Sequence, residues 1–67
     1  MSKKSDALAA VTAEAEGAVA LDVFYGEDSL QSRVGRRDAG NAVTNARNAG
    51  ATDDEIRQAA RQAFRKG

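Results

Sequence analysis

The 67-residue chain contains no cysteine, no histidine, no proline and no tryptophan. Without cysteine no disulfide can staple the fold, and with histidine also missing no Cys/His metal site can form. The commonest general base and the strongest side-chain nucleophile are therefore both missing. No apolar run approaches the roughly 18 residues that a bilayer span requires. Met1-Ser2-Lys3-Lys4 carries two lysines, but Ser5-Asp6 and a mixed alanine-rich stretch follow, not the unbroken apolar core of a signal peptide. The expectation is a cytoplasmic protein with no membrane partner. Aromatic residues number three: Phe24, Tyr25 and Phe64.

Alanine dominates the apolar share, and the larger apolar side chains are few. A chain of this length forms one small domain, whose single core supplies only a few kcal/mol. Such a sparse core predicts marginal stability for a lone chain, or a core completed by a second one. The alanine- and arginine-rich, lysine-poor composition is in the style of high-GC bacterial and phage sequences.

The formal net charge is zero but unevenly spread. Residues 1–29 set two lysines against six acids, and all seven arginines lie in residues 30–67. This asymmetry predicts either a basic surface for an acidic partner or attraction between unlike halves.

The strongest local pattern lies in residues 38–67. Gly50 suits the position just past a helix end, where positive φ is needed. Thr52 and Glu55 fit a capping box that starts the next helix, with Asp53 and Asp54 favoured by the dipole of its first turn. Asp53 is also placed to pair with Arg57. The three consecutive acids do not make a metal site, because adjacent helical positions diverge by about 100°. Ile56, Ala59, Ala60 and Ala63 mark one helix face, and Ala39, Ala42, Val43, Ala46 and Ala49 mark another. Small residues on both stripes and a short joint predict an antiparallel helical hairpin.

Before it, residues 1–4 read as a flexible tail, and residues 5–67 as one helical domain. Ser5 can cap a helix carrying Leu8, Val11, Ala15 and Val19 on one face. Val19, Leu21, Val23 and Tyr25 also alternate as a strand would. A lone strand would leave its backbone groups without a ladder, so helix is the expectation. Gly26 ends it, and Asp28 or Ser29 caps a short helix carrying Leu30 and Val34. Val34 and Val43 are half a turn out of phase, which predicts a break between Gly35 and Asp38; one long helix over 28–49, with Val34 facing a different neighbour, is the alternative. The expected fold is all-α: a small three- to four-helix bundle, with helices near 5–24, 28–35, 38–49 and 53–65 and a C-terminal antiparallel hairpin.

No enzyme signature emerges. A phosphate-loop pattern is absent, and neither a catalytic residue, a cofactor, a metal nor a small-molecule substrate is expected. Arg33, Arg36, Arg37, Asn41, Thr44, Asn45, Arg47 and Asn48 place side chains suited to base edges on an outward surface, with Arg57, Arg61 and Arg65 along the last helix. A short helix, Gly35 and the following helix have the outline of a helix-turn-helix. The run from Ala46 to Ile56 also resembles the first half of many bacterial helix-turn-helix domains. That resemblance covers about a dozen residues and implies a recognition helix beyond Gly67.

Leu21, Val23, Phe24 and Tyr25 cannot all face one neighbouring helix, and aromatics left outside are the usual anchors of interfaces. A homodimer built on this helix end is expected. The resulting function is that of a small non-enzymatic helical binding or regulatory protein. DNA is one partner consistent with the arginine-rich half. The alternative is an adaptor acting through protein–protein contact or oligomerisation, on an acidic protein surface or on itself.

Overall fold

A computed structural model describes residues 2–64 as three helices, with no strand among them. Helix α1 spans Lys3–Tyr25, α2 spans Leu30–Asn48 and α3 spans Asp53–Gln62. The all-α expectation holds, and residues 18–25 belong to α1.

Each helix starts on a hydroxyl cap. Ser2, not Ser5, caps α1: its Oγ accepts from the Ser5 N–H at 3.0 Å. Lys3 and Lys4, assigned above to the tail, stand in the helix's first turn. Ser29 caps α2 by accepting from the Ser32 N–H at 3.1 Å. Thr52 caps α3 in the expected box. The Glu55 N–H donates to Thr52 Oγ1 at 3.2 Å, and the Thr52 N–H donates to Glu55 Oε1 at 3.0 Å. Capping of this kind is worth about 1 kcal/mol per helix.

Gly50 plays the role read from its position. It has φ +98°, and its N–H donates to the Arg47 carbonyl at 3.0 Å. The Ala51 N–H reaches back to Ala46 at 3.0 Å. These two bonds form a Schellman motif, which satisfies carbonyls that the end of α2 would otherwise leave bare.

The expected break at residues 35–38 is absent, so three helices replace the four that such a break would give. Gly35 is buried within α2 and faces α1. A β-carbon there would stand 2.8 Å from Leu21 Cδ1 and 3.3 Å from Ala18 Cα. The missing side chain brings the two backbones together and does not end the helix. The phase difference behind the expected break is real, and exposure resolves it: Val34 is left at the surface while Val43 is half-buried.

α1 is the hub. It packs along α2 and, less extensively, along α3, whereas α2 and α3 touch little. Leu21 and Asp22 meet Gly35 and Arg36 near the start of α2, so the two helices run antiparallel. Val11, Ala42, Ala46, Ile56 and Ala59 form the core, with Leu8 and Val43 at its edge. Thr12 Oγ1 donates to the Ala59 carbonyl at 2.8 Å, and Lys4 Nζ lies 2.7 Å from Glu55 Oε2.

Candidate interaction surface

Gly26 makes the connection from α1 to α2, with φ +89°. Its carbonyl accepts the Ser29 N–H at 3.2 Å, the Ser29 hydroxyl at 2.8 Å and the Ser32 hydroxyl at 2.7 Å. Ser32 is fully buried, so this bond keeps its hydroxyl from being stranded without a partner. On the flank, an Arg36 terminal nitrogen donates to the Glu27 carbonyl at 2.7 Å. The same nitrogen approaches Asp22 Oδ1 to 3.5 Å, close enough for charge compensation but without hydrogen-bond geometry. The connection is thus held by polar contacts, and apolar side chains on either side of it remain uncovered.

Phe24 is 80% exposed, Val23 76% and Leu30 73%. Tyr25 and Val34 are exposed as well. Leu21, Leu30, Gln31 and Val34 line an open apolar groove of about 320 Å³ where the end of α1 meets the start of α2. On helix geometry Phe24 lies about 60° round α1 from Leu21, so it flanks this groove. Val23 lies about 160° round and points elsewhere. Of the four interface residues named from sequence, Leu21 lines the groove, the exposed Phe24 and Tyr25 lie about 60° and 40° round α1 from it, and Val23 is set apart. Leu30 and Val34 are the members that sequence reasoning missed. Their i, i+4 spacing was visible, but it reads equally well as a core stripe.

The polar residues divide. Arg33, Arg37, Asn41, Thr44, Asn45 and Asn48 share the outward face of α2, within about 120° of arc. A continuous α2 is what aligns Arg33 with Asn41. Thr44 spends its hydroxyl on its own helix, donating to Gly40 at 3.2 Å. Arg36 is held as described, and Arg47 pairs with Asp53 at 3.3 Å. On α3, Arg57 pairs with Asp54 at 3.7 Å and not with the expected Asp53, while Arg61 is exposed. Arg65 lies outside the described residues. The helix-turn-helix outline centred on Gly35 does not survive, because α2 runs through it.

Glu55 has its carboxyl held below the ordinary value of 4.5, chiefly by the Lys4 ammonium and then by the Thr52 N–H. Among the described residues no acidic cluster is placed to hold a metal ion, and no helix is long and apolar enough to cross a membrane. Comparison with family models, characterised proteins and solved structures finds no match to this chain.

Proposed function

We propose that this is a small non-enzymatic binding protein that works by docking another polypeptide on the apolar end of α1 and α2. The observation that carries the reading is the exposure of Phe24 and Leu30 beside the groove lined by Leu21 and Val34. A protein of this size has too few large apolar side chains to leave two of them outside without cost. Contiguous exposed apolar surface is the usual mark of an interaction site. In this reading α2 and α3 form an antiparallel hairpin clasping α1, which presents the end of the bundle as a rigid platform.

An apolar dye such as bis-ANS tests the reading together with particle mass. Either the wild-type chain binds the dye, because the surface is open, or it is an oligomer that covers it. Phe24→Ser and Leu30→Ser then abolish whichever behaviour is seen without lowering helix content. A monomeric wild-type chain that takes up no dye would overturn the reading.

A second reading, as a regulatory DNA-associated protein, draws support from the row of Arg33, Arg37, Asn41, Asn45 and Asn48 on one helix face. Arginine suits guanine and asparagine suits adenine in a major groove. Binding must then weaken steeply with salt, as counterions are released. Arg33→Ala with Arg37→Ala should flatten that slope in an anisotropy titration. No binding at low salt removes this second reading.

A further inference from the structure

We infer that the chain docking on the apolar end is a second copy of this one, related by a two-fold axis running along the groove between α1 and α2. The inference rests on the docking reading above and adds the identity of the partner.

Charge complementarity carries it. The apolar end joins the acidic part of the chain to the basic part. Glu14 stands seven residues before Leu21, on nearly the same side of α1. Arg37 stands seven residues after Leu30, on nearly the same side of α2. Both are exposed, and among the described residues neither has an ion-pair partner. Because α1 and α2 lie antiparallel, Glu14 and Arg37 flank the groove at the same end, one on each helix. A two-fold axis along the groove lays α1 of one copy over α2 of the other. Leu21 and Phe24 then cover Leu30 and Val34 of the other copy, and each Glu14 approaches the other copy's Arg37. The contact is self-complementary, as a two-fold interface must be.

Other occupants fit less well. An anionic membrane or a polyanion seated here would meet Glu14 on one flank, with Glu27 and Asp28 in the adjoining turn. A standard interface takes about 800 Å² per partner. That is about one sixth of the 4834 Å² surface of this chain. The apolar end with its two charged flanks supplies the core and rim of an interface at the small end of this range, so the dimer should dissociate on dilution.

Charge exchange tests the arrangement on the intact chain by sedimentation equilibrium. Glu14→Arg alone and Arg37→Glu alone should each raise the dissociation constant about tenfold, by placing like charges opposite each other. The double variant Glu14→Arg with Arg37→Glu should return it to within about twofold, because the swapped pair is again complementary. Circular dichroism should show all three variants as helical as the parent, since both positions are exposed. If a variant does lose helix, Leu30→Ser is the second probe and should give a monomer with unchanged helix content. A double variant no tighter than the singles overturns the two-fold arrangement. A wild-type monomer that binds bis-ANS overturns self-association while leaving the docking reading intact. A wild-type monomer that binds no dye overturns both.

Discussion

A β-carbon on Gly35 would come within 2.8 Å of Leu21 Cδ1, closer than real contacts allow. This relationship explains why α2 runs straight through a glycine followed by two arginines. It also makes a sharp prediction. Gly40 lies in the same helix with nothing within 4 Å of where its β-carbon would be. Gly40→Ala should therefore stabilise the fold by about 0.5–1 kcal/mol, the ordinary helix-propensity gain. Gly35→Ala should lose on the order of 1 kcal/mol net, because Leu21 must swing aside and the Ala18 backbone, with its Cα 3.3 Å away, must also give. Thermal melts of the two variants should move in opposite directions.

Thr12 supplies a second test. The Ala63 N–H turns to Ala60 and Arg61, so the Ala59 carbonyl has no amide from the next turn of α3. The Thr12 hydroxyl fills that place from α1. Thr12→Val keeps the shape and removes the donor, and should cost about 1 kcal/mol by denaturant titration. Thr12→Ser should retain most of the stability.

Acid sensitivity should trace to Glu55. Its carboxyl titrates below 4.5 when folded, because Lys4 and the Thr52 N–H favour the ionised form. A group lowered on folding stabilises above its unfolded value and loses that contribution as pH falls through the lower folded value. The Glu55 contribution should be lost on acidification below about pH 4.5. Glu55→Gln and Lys4→Met should each flatten this part of the stability profile, which a series of melts across acidic pH would show. An unchanged profile would mean that the contact is not maintained in solution.

Particular residues show how far the sequence could be read. Gly50, Thr52 and Glu55 announced the α2–α3 joint because their roles are local: positive φ and reciprocal caps need only near neighbours. Gly35 misled for the complementary reason. Its purpose is a contact with Leu21 and Ala18, more than a dozen residues away, and no local rule reports that. The alanine stripes gave the buried faces but not their partner. Ala42, Ala46, Ile56 and Ala59 from those stripes share one core with Val11 of α1. At the candidate surface, Phe24 was legible as one of four neighbouring apolar residues that cannot all face one helix, whereas Leu30 and Val34 have the spacing of core residues. Their exposure follows from how α2 sits on α1.

In the proposed dimer the apolar end around Leu21, Phe24, Leu30 and Val34 is covered by a second copy. Sedimentation equilibrium of the intact wild-type chain across a wide concentration range tests it most directly. The parent should show a reversible monomer–dimer equilibrium, and Leu30→Ser should be a monomer at every concentration with its helix content unchanged. A wild-type chain that remains monomeric up to its solubility limit would contradict it.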